Sequence, residues 1–137
     1  MERKRWYKDK VFYQIWPRSF KDGDGDGMGD LWGVYEKLDY IKSLGCNALW
    51  LNPIFDSPFK DAGYDVRDYT AINPAFGTMG DFENLVKAAH EKGIKIYLDY
   101  VVNHSGKGHK WFVDALEKLG VRGFTMWQDI AGRGSKT

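Results

Sequence analysis

Three polar residues, Asp99, Asn103 and His104, follow or interrupt an apolar stretch and are the first candidates for chemistry. Residues 94–104 read IKIYLDYVVNH, in which apolar and polar positions alternate as in a buried β-strand. The pattern predicts that Asp99 lies inside this strand, where an unpaired carboxylate is costly. A structural aspartate bonded to backbone is one interpretation, but the polar residues that end the same stretch favour a functional site.

His104 has three possible roles in the sequence. It could donate a hydrogen bond to a ligand hydroxyl, or it could be a buried histidine bonded to backbone. A transition-metal site formed with Asp99 and His109 is the third role. This role is disfavoured because these residues lack the close i, i+4 spacing on one helix that zinc enzymes use.

The loop of residues 22–30, DGDGDGMGD, is the most specific motif by composition. Hard oxygen ligands at alternate residues can converge on one cation, and mutual repulsion of the carboxylates disfavours a merely solvated turn. An EF-hand is disfavoured because Gly33 stands where a bidentate glutamate is needed. The predicted calcium ligands are Asp22, Asp24, Asp26, the Met28 carbonyl and Asp30.

A second polar segment, residues 61–69, reads DAGYDVRDY and includes Asp61 and Tyr64. Carbohydrate sites need this mixture, because an aromatic ring covers the apolar face of a sugar while carboxylates accept its hydroxyl hydrogen bonds. An ion-pair cluster of Arg67 with Asp65 and Asp68 that fixes the loop is an equally good interpretation.

The elements that must position these residues alternate between strand and helix. The sequence predicts strands over 11–17, 47–52 and 94–104, helices over 30–44, 78–92 and 109–119, and a functional loop over 53–77. The order implies parallel strands joined by right-handed crossovers, as in a (β/α)₈ barrel or a doubly wound sheet. The aspartates after the first strand would repel a pyrophosphate, which disfavours the doubly wound nucleotide fold. We therefore predict an α/β fold: the N-terminal part of a (β/α)₈ TIM barrel, roughly three of its eight units.

Composition excludes several classes of protein. With 43% hydrophobic and 16% aromatic residues the chain can form a packed core, and its net charge of +1 gives no reason to expect binding to nucleic acid or membranes. The basic first ten residues are followed by no apolar segment, so the sequence predicts neither a signal peptide nor a membrane span. This pattern predicts a cytoplasmic location, and a secreted protein whose signal peptide has been removed would show the same pattern.

Seven motifs occur in an order that resembles a known family. They are VFYQIWPRSF, DGDGDGMGDL, KLDYIKSLG, ALWLNPIFDSP, GYDVRDY, FGTMGDFENLV and LDYVVNH. Over about residues 9–117 the chain resembles the N-terminal portion of the α-amylase family of glycoside hydrolases, in its oligosaccharide α-glucosidase, neopullulanase and trehalose-synthase branch. We predict barrel sequence over 1–120 and an atypical tail over 121–137, where the resemblance fades.

The resemblance implies a catalytic barrel that acts on α-linked glucose oligosaccharides or polysaccharides, with calcium held by the loop after the first strand. Asp99 and His104 match the family's first signature motif, in which the histidine hydrogen-bonds the sugar. Tyr64 matches a stacking tyrosine and Asp61 a substrate-contacting acid, whereas Asn103 matches a position that holds a different calcium in true α-amylases.

The family's catalytic carboxylates are missing from the recognisable motifs. Members act with retention through an aspartate nucleophile, a glutamate acid/base and a second aspartate that come from later strands. None of these can be assigned here, so the isolated chain is expected to be inactive. The alternative is a non-catalytic, calcium-stabilised carbohydrate-binding or interaction module.

Overall fold

The computed structural model describes residues 5–118, and the predicted tail and Leu119 lie outside them. No helix in that range is long and apolar enough to cross a membrane. In chain order the elements are β1 (Phe12–Ile15), α1 (Pro17–Phe20), α2 (Leu31–Glu36), α3 (Leu38–Ser43), β2 (Ala48–Leu51), β3 (Phe55–Asp56), β4 (Asp68–Ile72), a 3₁₀ turn (Pro74–Phe76), α4 (Met79–Glu91), β5 (Lys95–Leu98) and α5 (Lys110–Lys118).

The framework is a parallel sheet of three strands in the order β1-β2-β5. Gln14 of β1 lies opposite Trp50 of β2, which lies opposite Tyr97 of β5. Because the strands run parallel, their carboxyl ends meet at one edge of the sheet. The prediction of repeated β/α units is confirmed.

One face of the sheet is covered by helices and forms the core. Alternate strand residues such as Ile15, Leu49 and Leu51 point to this outer face and are buried. They pack against the apolar side of the helices, which contributes Leu31, Val34, Leu38, Ile41, Leu85 and Ala89. Each such side chain stabilises the fold by about 1.5–3 kcal/mol through removal from water.

The other face of the sheet, which we call the inner face, carries aromatic and polar residues. Phe12, Trp16 and Trp50 are 42%, 43% and 38% exposed, respectively. Trp6 partly covers this face by stacking on Tyr97, with ring centroids 5.6 Å apart. The inner face therefore holds the side chains that are free to contact a ligand.

Two predicted elements have different boundaries in the structure. The third strand ends at Leu98, so the prediction that Asp99 lies inside the strand is wrong; Asp99 is the first residue beyond it. The predicted helix over 30–44 is two helices, because Lys37 adopts φ −96° and ψ 5° between α2 and α3. Both helices still bury the same apolar face, which explains why the periodicity suggested one helix.

The long connection after β2 contains its own hairpin, in which β3 pairs with β4 in antiparallel orientation. Arg67 closes this hairpin by a bidentate pair with Asp56, with Nε and Nη2 each 2.6 Å from a carboxylate oxygen. The predicted cluster of Arg67 with Asp65 and Asp68 is therefore wrong. Asp65 bonds to Ser57 and Asp68 to Thr70 instead.

The helices after this connection begin at defined caps. Thr78 followed three residues later by Asp81 is a sequence pattern that predicts a capping box at the start of α4. The structure confirms it, since Thr78 accepts from the Asp81 amide and the Asp81 carboxylate accepts from the Thr78 amide. His109 precedes α5, and its Nδ1 accepts from the Trp111 amide. The apolar spacing of this helix predicts that Phe112 points inward, but its side chain is only half-buried.

Two glycines allow close backbone contacts. A Cβ at Gly33 would lie 1.9 Å from the Lys21 carbonyl oxygen, so only glycine lets α2 approach the start of the acidic loop. A Cβ at Gly106 would lie 2.4 Å from the Asp65 carbonyl oxygen. The Gly106 amide also donates to the Val66 carbonyl over 2.8 Å, which joins the loop after β5 to the loop before β4.

We expect Gly33→Ala to destabilise the chain by about 1–3 kcal/mol, because the methyl group forces α2 away from Lys21. Gly80→Ala is the matched control. Its Cβ would come no closer than 3.6 Å to a neighbour, so it should be neutral or stabilising by up to about 1 kcal/mol. Urea unfolding followed by circular dichroism measures both, and equal stabilities of the two variants would contradict the prediction.

Gly106→Ala should separate the two joined loops and remove the protection of the residue-106 amide against hydrogen exchange. Gly108→Ala serves as the control, because its Cβ would meet only the flexible Arg67 side chain at 3.4 Å. Hydrogen exchange followed by mass spectrometry or NMR makes the comparison. Retained protection at residue 106 in Gly106→Ala would show that the contact does not hold the loops together.

Candidate functional site

The carboxyl ends of the three parallel strands bring Asp99 into a hydrogen-bond network. Its Oδ2 accepts from the Tyr64 hydroxyl over 2.7 Å, and its Oδ1 accepts from the Trp50 indole Nε1–H over 2.6 Å. Asp99 is half-buried, and its hydrogen bonds offset the cost of removing the carboxylate from water. Two of the four predicted sugar-contacting residues, Tyr64 and Asp99, are therefore in direct contact.

Tyr64 is held with its hydroxyl inside the site. Burial raises the pKa of the Tyr64 phenol above its ordinary value, and the hydrogen bond to Asp99 raises it further, whereas the Asn52 amide acts in the opposite direction. The phenol therefore stays protonated and donates to Asp99. The edge of its ring contacts Trp16, with centroids 6.0 Å apart.

The other two predicted residues, Asp61 and His104, line one hollow of about 260 Å³. Asp65, Ser105, Gly106 and Lys107 complete its wall. Asp61 is exposed and lies three residues before Tyr64, whose amide donates to the Asp61 carbonyl over 2.8 Å. This turn connects the hollow to the Tyr64–Asp99 pair, so the four predicted residues belong to one region.

Tyr69 positions the backbone of His104. Its hydroxyl lies 2.6 Å from the Val101 carbonyl oxygen and 3.0 Å from that of His104, so a single proton is shared between two acceptors. The His104 ring is half-buried and its Nδ1 lies 3.4 Å from the Asn103 amide nitrogen. The ring is therefore not enclosed by backbone partners in the described part of the chain.

The loop that carries Asp61 and Tyr64 is fixed by Asp65. The Asp65 carboxylate accepts from the Ser57 hydroxyl over 2.6 Å and from the Lys60 amide over 3.0 Å. Burial alone would raise the pKa of Asp65, but these hydrogen bonds outweigh it and lower the pKa. The loop contains two non-glycine residues at positive φ, Phe59 at 55° and Ala62 at 52°, a strained geometry of the kind found at binding sites.

The acidic loop is a separate candidate site. One carboxylate oxygen from each of Asp22, Asp24 and Asp30 lies within 4.8 Å of the others, while Asp26 is outside this group of three. Asp30 is buried and accepts from the Gly33 amide over 2.6 Å, which caps α2. The Gly25 and Gly27 amides lower the pKa of Asp22, so this carboxylate is ionised. Met28 donates its amide to Asp26.

Gln14, Trp50 and Asn52 belong to the network but were not predicted. The Gln14 amide donates to Asn52 Oδ1 over 3.0 Å, and Asn52 Nδ2 donates to the Tyr64 oxygen over 3.2 Å. One signal was present in the sequence. Asn52 ends the apolar strand β2, at the position equivalent to Asp99 after β5.

The network and the hollow together offer the chemistry of a site for a hydroxyl-rich ligand. Asp99 and Asp61 supply carboxylate acceptors, His104 supplies a ring nitrogen that donates or accepts, and Tyr64 and Trp16 supply aromatic surface.

Comparison with known proteins gives a family match. The model of the α-amylase catalytic domain matches residues 14–136. Trehalose-6-phosphate hydrolase of Bacillus subtilis is 49% identical over 136 residues, which is 98% of this chain and 24% of that protein. Oligo-1,6-glucosidase of Halalkalibacterium halodurans is 48% identical and is matched over 90% of this chain and 22% of its own length. The chain thus spans about a quarter of these relatives.

Solved structures agree with this result. The crystal structure of Bacillus licheniformis trehalose-6-phosphate hydrolase superposes with a TM-score of 0.80 at 48% identity, covering 90% of this chain and 22% of that one. Isomaltulose synthase from Protaminobacter rubrum gives 0.77 at 50% identity, covering 80% and 20%. The predicted TIM-barrel fold class is confirmed, with this chain corresponding to the N-terminal part of the barrel. The chain belongs to the α-amylase family.

Proposed function

We propose that this chain forms one side of the sugar site of a glycosidase or transglycosidase that acts on α-glucosidic bonds. The observation that carries the proposal is the hydrogen-bonded Tyr64–Asp99 pair at the strand ends, with Asp61 and His104 lining the adjoining hollow. Relatives named for hydrolysis of trehalose-6-phosphate and of oligo-1,6-glucosides support a short α-linked glucose oligosaccharide as the substrate. A polysaccharide end would present the same terminal glucose.

The four residues would bind and orient the sugar rather than break the bond. The Asp99 carboxylate accepts hydrogen bonds from sugar hydroxyls, and His104 donates to a further hydroxyl. The Tyr64 ring packs on the apolar face of the pyranose. Binding energy of this kind fixes the reacting bond in place and so lowers the barrier for groups supplied from outside this chain.

The carboxylates that would perform retaining hydrolysis are not among the residues proposed here. That chemistry needs a nucleophile and an acid/base about 5–5.5 Å apart on either side of the bond. Asp99 is committed to Trp50 and Tyr64. The sequence assigns neither of the two catalytic roles to a residue of this chain. The isolated chain is therefore proposed to be inactive as a glycosidase.

Calcium is the proposed ligand of the acidic loop. The donor set fits, since three carboxylates meet within 4.8 Å and calcium prefers hard oxygen ligands. Asp22 and Asp24 would supply side-chain oxygens, and Asp30, already fixed as the cap of α2, would complete the charged side. Asp26, also named from the sequence, lies outside this group and would need to turn towards the ion. The Met28 carbonyl is the remaining predicted ligand. A bound cation would offset the repulsion between the acids and stabilise the loop.

A second candidate function is a non-catalytic, calcium-stabilised carbohydrate-binding or interaction module. The observation that favours it is the buried core on the outer face, which the described residues form without further strands. Binding of a saccharide without turnover would distinguish such a module from an inert chain.

We expect the purified chain to release no p-nitrophenol from p-nitrophenyl α-glucoside above the uncatalysed rate, because acid catalysis and the covalent route are both absent. Calorimetry with maltose then measures binding, which Asp99→Asn should weaken by about tenfold or more through loss of a charged acceptor. Glu117→Gln, on the exposed side of α5, is the control. Measurable turnover would disprove the predicted inactivity, and a flat maltose trace would contradict both the proposed sugar site and the binding module.

We expect calcium to raise the melting temperature of the chain, since a ligand at 100 times its dissociation constant stabilises the folded state by about 2.7 kcal/mol. Asp22→Asn should abolish the shift, because it removes an ionised ligand from the group of three. Asp114→Asn, an exposed acid on α5, should keep it. Scanning fluorimetry in calcium and in EDTA gives the readout, and equal shifts in both variants would place the ion elsewhere.

A further inference from the structure

Trp50 gives its single polar group to Asp99. It lies on the inner face of β2, and its Nε1–H donates to Asp99 Oδ1 over 2.6 Å. An indole has only this one donor and no acceptor. The two residues are 49 positions apart in the chain, so the contact joins the middle of one strand to the end of its neighbour.

The backbone after β5 gives Asp99 little support. The Asp99 amide donates to the Leu51 carbonyl over 3.2 Å, and there the parallel ladder ends. The residues that follow project into solvent, with Tyr100 74% and Val102 75% exposed. The orientation of the carboxylate therefore depends on side-chain partners rather than on its own segment.

The remaining partners of Asp99 fix one oxygen each. Tyr64 has one hydroxyl proton, which it donates to Asp99 Oδ2 over 2.7 Å, so its oxygen must accept from the Asn52 amide. Asn52 is 2% exposed and its Oδ1 accepts from Gln14, which sets its amide orientation. The hydrogen bonds from Gln14 through Asn52 and Tyr64 therefore hold Oδ2. Among the described residues, only Trp50 donates to Oδ1.

A carboxylate has about four lone-pair positions. Trp50 and Tyr64 occupy one on each oxygen of Asp99, and the Asn52 contact at 3.5 Å is long. Trp50 and Tyr64 thus approach different oxygens and together fix the plane of the carboxylate, so the orientation in which Asp99 would meet a ligand is set before binding.

We propose that Trp50 is a positioning residue for the sugar site, which holds the Asp99 carboxylate in its binding orientation and acts on the ligand only through it. The inference rests on the proposed function for the identity of the ligand. The orientation of Asp99 is independent of the proposed function, because it can be measured without sugar.

The test uses the 137-residue chain labelled with ¹³Cζ tyrosine, with the Tyr64 signal assigned by its loss in Tyr64→Phe. Asp99 raises the pKa of Tyr64, so a carboxylate that turns away lets that pKa fall. Trp50→Phe keeps the ring volume and removes the N–H. We expect it to lower the pKa of Tyr64 towards the value in Asp99→Asn, while Trp32→Phe, on helix α2, leaves it unchanged.

An unchanged or higher pKa of Tyr64 in Trp50→Phe would overturn the proposal, because Asp99 would then keep its place without the indole. For variants that unfold at the alkaline pH of this titration, the indole N–H signal is measured at neutral pH instead. The indole N–H signal that disappears in Trp50→Phe should shift upfield in Asp99→Asn and stay in place in Asp61→Asn. No shift in Asp99→Asn would also overturn the proposal.

Maltose calorimetry distinguishes failure of the proposed sugar site from failure of the positioning role of Trp50. When the unsubstituted chain binds maltose, Trp50→Phe should raise the dissociation constant by about tenfold, as loss of one charged hydrogen bond predicts. An unaltered constant would count against the role of Trp50. When the unsubstituted chain binds no maltose, the proposed sugar site fails, and the Tyr64 titration still decides the role of Trp50.

Discussion

The hydrogen bonds received by Asp99 are the interaction on which the candidate site depends. A carboxylate at the end of a strand is costly unless donors satisfy both oxygens, and here an indole and a phenol do so from two different segments. The parallel register makes this possible, since it places Trp50 and the residue after Leu98 at the same edge of the sheet. The same bonds that offset burial also orient the acceptor.

The second constraint is the close packing of two loops beside the sheet. Asp65 folds its own loop around Ser57 and Lys60, and Gly106 lets the loop after β5 lie against its backbone. Asp61 and His104 consequently face a shared hollow, although 43 residues separate them in the chain. The site is thus built from loops whose geometry is fixed by backbone contacts and by the half-buried carboxylate of Asp65.

Much of the fold could be predicted because its signals are local. Apolar runs identified the three parallel strands, and Thr78 with Asp81 identified the start of α4. The break at Lys37 was invisible, since no glycine or proline marks it and the apolar periodicity continues through it. The β3–β4 hairpin was missed for a different reason: β3 has two residues, and its pairing depends on the distant Arg67–Asp56 contact.

The candidate site was likewise only partly predictable from the sequence. Asp99 and His104 stood out because polar residues at the end of an apolar strand are unusual, and Asp61 and Tyr64 came from a resemblance in sequence. Trp50 could not be identified as a polar partner, because a tryptophan in an apolar strand counts as a core residue until the position of its N–H is known. Asp26 illustrates the converse, since regular spacing in the acidic loop did not place it with its three neighbours.

The two faces of the sheet differ in what they give the chain. The outer face packs against α2, α3 and α4 and forms the buried core. The inner face presents Phe12, Trp16 and Trp50 to solvent, each more than a third exposed. An exposed aromatic surface of this kind associates with other apolar surfaces. The inner face should therefore self-associate as the protein concentration rises and should bind detergents and hydrophobic dyes, whereas the helical side should not.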